Sequence, residues 1–214
     1  MAIPAALVVC GGGPVRAKID VPADALVIAA DAGAVEAGRL GFAIDLLIGD
    51  LDSVPPEALE AAERAGTRVQ RHPVDKDATD LELAMEAALE AGASRIVVAG
   101  GDQGRLDHVL GNALLLASPR WASAQVDGVF GSAMAHVIRA ARTLDVAIGE
   151  IISLFATGGI ARGVTTEGLR WSLADDDVLP GPTRTISNVA ESTPISVEVR
   201  EGTVLVIRPG GEHP

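Results

Sequence analysis

Residues 45–53 read Asp45-Leu46-Leu47-Ile48-Gly49-Asp50-Leu51-Asp52-Ser53. An apolar run too short for a helix stops at a glycine and turns acidic at once. That is how a buried strand delivers polar residues to one edge of a sheet. The same pattern repeats on either side. Residues 5–10 run into Gly11-Gly12-Gly13-Pro14, residues 26–30 are closed by Asp31-Ala32-Gly33, and residues 95–99 end in Gly100-Gly101-Asp102. Residues 67–70 read as a further strand. Helical stretches lie between, at about 35–39, from Pro55-Pro56 to about Ala65, and at about 106–117, with proline tolerated in a first turn. Thr79-Asp80-Leu81-Glu82 matches a capping box, and Leu81, Met85, Ala88 and Leu89 form its apolar stripe up to Gly92. Strands alternating with helices predict an α/β domain with a parallel, Rossmann-like sheet and right-handed crossovers.

From about Val126 the rhythm changes. Short alternating stretches at 135–139, 150–155, 165–173, 195–199 and 203–207 are separated by Gly, Asp and Pro. Closely spaced strands without helical period predict a small antiparallel β-sandwich. The predicted division is 1–128 for the α/β domain and 129–214 for the sandwich.

Composition narrows the function classes. Of 214 residues, 48% are hydrophobic and 21% charged, and the mean hydropathy is +0.32, so the chain folds around a core. With three Phe, two Trp and no Tyr, that core is aliphatic. A formal charge of −12 without any Lys/Arg run argues against nucleic acid as a partner. An anionic nucleotide would need a metal ion or local Arg and Lys. The one cysteine, Cys10, excludes an intrachain disulfide, and its apolar context makes it a small buried hydrophobe. No apolar stretch approaches a membrane span, and no basic region precedes a cleavable apolar segment. These features predict a soluble cytoplasmic protein without a membrane partner.

Three acidic segments carry the chemistry. Asp50 and Asp52 are two apart, which in extended chain sets both carboxylates on one side with Leu51 opposite. They can share a Mg²⁺, which prefers oxygen ligands and keeps sites for phosphate; the alternative is a solvated acidic turn. Asp77 and Asp80 stand at a helix entry, where acids stabilise the dipole. Thr79 already supplies the cap, which leaves Asp80 free to act as a metal or substrate ligand. In Gly104-Arg105-Leu106-Asp107-His108, Arg105 can clamp phosphate oxygens in bidentate fashion, and His108 reads as a structural first-turn histidine. Trp171 reads by default as core, or else as a platform for a flat heteroaromatic cation. Ser187-Asn188 reads as an ordinary turn.

Taken in order, these segments resemble the thiamine pyrophosphokinase family. They are Asp31-Ala32-Gly33-Ala34, Gly49-Asp50-Leu51-Asp52-Ser53, Lys76-Asp77-Ala78-Thr79-Asp80, Gly104-Arg105-Leu106-Asp107-His108, Thr166-Glu167-Gly168-Leu169-Arg170-Trp171 and Ser187-Asn188. The resemblance implies a catalytic α/β domain followed by a β-sandwich, in a homodimer. It implies transfer of pyrophosphate from ATP, as co-substrate, to the hydroxyethyl oxygen of thiamine, giving thiamine diphosphate and AMP.

By the same resemblance Asp50, Asp52 and Asp80 would hold Mg²⁺. Asp31, Lys76, Asp77, Thr79 and Arg105 would serve ATP, and Arg105 and Asp107 would join the catalytic set. Trp171, Ser187 and Asn188 would reach thiamine at the subunit interface. Asp80 and Asp107 are the candidates for a general base. The family commonly reads Asp-Gly-Gly-Ala-Asn at its first acidic motif, whereas Ala32 and Val35 depart from it here; Val189 stands where an acid is frequent. Rival readings are a pyrophosphokinase for another hydroxymethyl heterocycle such as a pterin, a non-catalytic thiamine or nucleotide sensor, and a metal-dependent phosphohydrolase.

Overall fold

The computed structural model describes residues 5–103 and 105–210. Two compact units emerge: residues up to Leu115 together with Ser123–Gly131, and Leu116–Ala122 together with residues from Ser132 onward.

The first unit is built on six strands: β1 (Ala6–Val9), β2 (Leu26–Ala30), β3 (Leu46–Gly49), β4 (Arg68–Arg71), β5 (Arg95–Gly100) and β6 (Gln125–Phe130). They lie in the order β6-β5-β1-β2-β3-β4 and every pairing is parallel. Strands β1 and β3 are buried throughout, as expected where helices cover both faces of a parallel sheet. Leu7 and Val9 join Val27, Ala37, Val97 and Val129 in one cluster. On β4 the pattern changes: Arg68, Gln70 and Arg71 are exposed, which suits an edge strand that must not recruit another chain.

Helices α1 (Gly33–Leu40), α2 (Pro56–Arg64), α3 (Asp80–Glu90) and α4 (Leu106–Leu116) follow β2, β3, β4 and β5. The capping prediction for α3 holds, since Thr79 Oγ1 accepts from Glu82 N–H at 3.2 Å. Leu81, Ala84, Met85 and Ala88 form its buried face, which packs on β1, β2 and β3.

The stretch from Val126, read above as the start of the antiparallel region, belongs instead to β6. Val126 pairs with Ile96 and Phe130 with Gly100, parallel to β5. Short strands buried on both faces do not alternate visibly, so their direction cannot be read locally.

The second unit is antiparallel. Strands β7 (Ala133–Ile138), β8 (Ala141–Leu144), β9 (Ile151–Ala156), β10 (Ala161–Glu167), β11 (Asp176–Val178), β12 (Asn188–Val189), β13 (Ile195–Glu201) and β14 (Val204–Arg208) form two layers, ordered β12-β9-β14-β7 and β11-β10-β13-β8. Ile138, Ile152, Leu154, Val164, Ile195, Val197 and Val206 fill the space between them. The predicted strand at 165–173 is displaced: β10 ends at Glu167, and Gly168, at φ +80°, starts a loop that carries Trp171. Among the described residues no helix is long and apolar enough to cross a membrane.

Candidate active site at the ends of the parallel strands

Strand order in the first unit decides where chemistry can occur. Chain progression reverses between β1 and β5, and ligands of open parallel sheets bind outside the strand ends at such a point. A cavity of about 370 Å³ lies there, lined by Gly11 and Gly12 after β1, Asp31 after β2, Asp50 after β3, and Gly101 and Gln103 after β5. Lys76, Thr79 and Asp80 complete its other side.

The acids converge because the backbone bends sharply at each strand end. Asp31 sits at φ 45° with its N–H donated to Ile48 C=O. Gly49 has φ 148°, and a Cβ there would stand 3.2 Å from both Asp31 Cβ and Asp80 Oδ1. Glycine is what lets the ends of β2 and β3 and the start of α3 come together. Leu51, at φ 65°, buries its side chain beside Val54 and Leu47. A left-handed leucine is costly, and its anchorage in the core holds the turn in place. Asp52 N–H then bonds to Asp50 Oδ1 at 3.1 Å, and Ser53 Oγ donates to Asp52 Oδ1. Carboxylate oxygens of Asp31, Asp50 and Asp52 lie within 4.8 Å of one another.

Asp80 enters this group through Lys76. The ammonium stands 3.0 Å from Asp80 Oδ1 and 3.6 Å from Asp50 Oδ2, with a hydrogen bond to Pro73 C=O at 3.1 Å. The Asp80 contact is a close ion pair. Among the described residues, the buried Asp31 Oδ1 accepts no hydrogen bond, and Asp80 Oδ1 faces only the Lys76 ammonium.

Charge states follow from these contacts. Burial, reinforced by repulsion from Asp50 and Asp80, raises the Asp31 pKa. The Asp52 N–H, then the Lys76 charge, hold Asp50 below the usual carboxylate range. Burial alone would lower Lys76; Asp80 and Asp50 outweigh it and leave the ammonium above its ordinary value. Crowded, partly buried oxygens with unused lone pairs fit a hard divalent cation, which takes oxygen ligands.

The loop after β1 forms the opposite wall. A Cβ on Gly101 would stand 1.8 Å from Gly12 O, so the β1 and β5 loops meet only because both are glycine-rich. Gly12 C=O accepts from Gln103 N–H at 2.9 Å. Glu36 on α1 secures the loop's exit: its Oε1 takes Val15 N–H at 2.7 Å while Arg39 donates to Val15 C=O. Cys10 is buried as expected, and burial pushes its thiol up to about 12.

Other predicted residues lie apart. Arg105 and Asp107 form an exposed pair at 2.6 Å, with side chains 74% and 62% accessible. Among the described residues, Arg105 is absent from the cavity wall. Asp107 lines a smaller neighbouring cavity with Thr79, Glu82 and His108. Asp77 is exposed, and Gly104 of the same motif lies outside the described residues. Conversely, His108 and Asn112 line the main cavity, as do Gly11 and Gly12. The glycine run after an apolar strand was the signal for the latter pair; nothing local marked Asn112.

In the second unit Trp171 is 58% exposed, which overturns the default reading of a core residue. The core tryptophan is Trp121, 1% exposed. Trp171, Arg170, Ser187, Asn188, Thr166 and Arg184 line a cavity of about 720 Å³. Ser187, at φ 58°, donates its N–H to Ser153 Oγ at 3.0 Å. Asn188 is buried, and the Arg170 guanidinium stands 5.7 Å from the Trp171 ring centre.

Comparison with known proteins identifies both units. Residues 21–127 match the thiamin pyrophosphokinase catalytic domain, and residues 135–204 match the thiamin pyrophosphokinase vitamin B1 binding domain. Thiamine pyrophosphokinase 1 of Oryza sativa subsp. japonica is 27% identical over 173 residues, covering 74% of this chain and 64% of that protein. The thiamine pyrophosphokinase of Bacillus subtilis is 36% identical over 91 residues, 42% of each chain. The matched stretch thus spans less than two thirds of these relatives.

Among solved structures, thiamine pyrophosphokinase from Bacillus subtilis superposes with a TM-score of 0.83 at 24% identity over 97% of this chain and 100% of that one. The one from Geobacillus thermodenitrificans gives 0.78 at 26% identity, covering 96% and 97%. With both domain matches in order along one chain, and acids gathered at the strand ends of its parallel sheet, this protein belongs to the thiamin pyrophosphokinase family.

Proposed function

We propose that the protein transfers the pyrophosphoryl group of ATP to the hydroxyethyl oxygen of thiamine, giving thiamine diphosphate and AMP. The observation that carries this reading is the mutual approach of the Asp31, Asp50 and Asp52 carboxylates to within 4.8 Å at the ends of β2 and β3, on the wall of the cavity at the strand ends. Residues 1–128 would bind ATP and carry the chemistry; residues 129–214 would bind thiamine.

Asp50, Asp52 and Asp80 would hold Mg²⁺, with Asp31 as a fourth carboxylate within reach; the bound ion supplies charge neutralisation and orientation of the triphosphate. Lys76, held between Asp50 and Asp80, is placed to turn toward phosphate oxygens once those acids are engaged. Arg105, paired with exposed Asp107, can exchange that partner for phosphate at little cost, since exposed ion pairs contribute about 0–1 kcal/mol. Thr79 lines the same cavity, while Asp77, exposed beside Lys76 and Ala78 of its wall, would serve ATP only from outside it. The attacking oxygen forms a bond to the β-phosphorus while the bond from that phosphorus to the oxygen bridging to the α-phosphate breaks. AMP departs with those electrons. Asp80 and Asp107 are the carboxylates available to take the hydroxyl proton. Such transfers rest on positioning and charge neutralisation.

Thiamine is cationic and flat. The exposed Trp171 ring offers a stacking face, with Ser187 and Asn188 in the same wall. In a homodimer this wall would meet the catalytic cavity of a second copy. The test is incubation with ATP, Mg²⁺ and thiamine, with mass detection of products. AMP and thiamine diphosphate in equal amounts are expected. Phosphate or pyrophosphate released without acceptor would make the protein a hydrolase, intact ATP would make it a sensor, and turnover of a pterin but not thiamine would reassign the acceptor.

A further inference from the structure

Asn188 lines the second unit's cavity, yet its amide is already committed. Its Oδ1 accepts from Trp171 N–H at 3.1 Å and from Val189 N–H at 2.8 Å, while Nδ2 donates to Trp171 C=O at 2.8 Å. The side chain therefore grips both polar backbone groups of Trp171, and the residue is only 5% exposed. Neighbouring bonds sew the same loop to β12: Arg170 N–H donates to Val189 C=O at 2.9 Å, and Leu169 bridges to Ala190.

The contrast with Trp171 is informative. Its indole is largely exposed, so little core packing fixes its direction. A ring left free would lose rotamer entropy on stacking with a ligand, and a held backbone reduces that loss.

We infer that Asn188 is a positioning residue: it acts on the ligand through Trp171, by fixing the loop from which the indole projects, and not by contact of its own. The inference rests on the reading of this cavity as the site for the heteroaromatic acceptor. One carboxamide can replace a strand's worth of pairing here because an amide mimics a backbone group, with one acceptor oxygen and a donor nitrogen. Aspartate would keep the acceptor but set a carboxylate against Trp171 C=O. Alanine would take the side-chain partners from two N–H groups and one C=O of a part-buried turn and leave them to water, so the loop would loosen.

The deciding experiment combines a spectroscopic readout with a double-mutant cycle. In the ligand-free protein, acrylamide quenching separates exposed Trp171 from buried Trp121. Asn188→Ala should shift the emission and lower the anisotropy of the quenchable component before any ligand is added. It should raise KM for thiamine roughly tenfold with kcat and KM for ATP nearly unchanged. In a Trp171→Ala background the same substitution should add almost nothing.

If Asn188→Ala does not fold, Asn188→Asp tests the same bonds, keeping the acceptor while replacing the donor with an oxygen that repels Trp171 C=O, and should move both readouts in the same direction. An unchanged ligand-free Trp171 signal with raised KM would make Asn188 a direct ligand, and additive losses in the double variant would do the same. No change in either readout would leave it without a role in binding. If thiamine proves not to be the acceptor, the ligand-free signal still decides whether Asn188 holds Trp171.

Discussion

The strand ends of the first unit and the tryptophan loop of the second handle buried polar atoms in opposite ways. Among the described residues, Asp31 keeps a buried oxygen without a donor, Asp80 meets only the Lys76 charge, and burial together with repulsion among the acids raises the Asp31 pKa. Around Trp171 the Asn188 amide makes three hydrogen bonds, Thr166 Oγ1 takes Leu173 N–H, and Ser172 Oγ donates to Leu169 C=O. A buried polar group without a partner costs about 1–3 kcal/mol. The first region is thus incomplete by itself and would gain most from a cation. The second is complete and only presents a surface. Dependence on an ion and dependence on shape should separate experimentally along this line.

The sharpest break would come from the acids. Asp52→Ala or Asp50→Ala should reduce turnover by about 10³-fold or more, since a cation's charge stabilisation amounts to several kcal/mol. Thermal stability should change far less than turnover, with the larger loss in Asp50→Ala, which gives up the bond from Asp52 N–H and the Lys76 ion pair. Near wild-type turnover in purified Asp52→Ala would refute the metal assignment. Lys76→Met should lower kcat by about 10²-fold, in the range seen on removing one preorganised electrostatic contact. Loss of stability alone, with kcat intact, would leave Lys76 as a structural tie between Asp50 and Asp80.

Trp171→Ala probes the other side. An exposed ring contributes little to folding, so stability should change by less than about 0.5 kcal/mol. KM for thiamine should rise by roughly tenfold, corresponding to about 1.4 kcal/mol of lost stacking. An unchanged KM would place the acceptor elsewhere.

The smallest effect concerns stability and pH. Asp31 has a folded pKa raised above 3.8, so the folded protein holds that proton more tightly than the unfolded chain. The associated stability is full below pH 3.8 and is lost as the pH rises through the raised value. In divalent-free buffer at neutral pH, Asp31→Asn should therefore raise Tm. The gap should close toward pH 3.8. Added Mg²⁺ should then raise the wild-type Tm more than that of the variant, by mass action on the folded state. A Tm gap independent of pH would assign the gain to something other than charge.

How much could be read from the chain alone varied by element. Thr79 and the apolar stripe of α3 were legible because a cap and a helical period are local properties. β6 was misread because a strand buried on both faces carries no alternation to show its partner's direction. The strand predicted at 165–173 ran too far, since Gly168 breaks it in favour of a loop whose hydrogen bonds come from residues 188–191. Trp171 was read as core by default; its exposure depends on where that loop leaves the sheet.

The sequence by itself determined that short buried strands end in glycine and acid, that a helix starts at Thr79, and that the family's motifs occur in order. Those features rest on neighbours a few residues apart. Only the tertiary structure decided that Asp31 joins Asp50 and Asp52, and that Lys76 bridges Asp50 to Asp80. It also decided that the glycine loop after β1 forms a wall of the same cavity. The physical reason is strand order: setting β1 between β5 and β2 is a matter of long-range packing, which no local pattern of residues encodes.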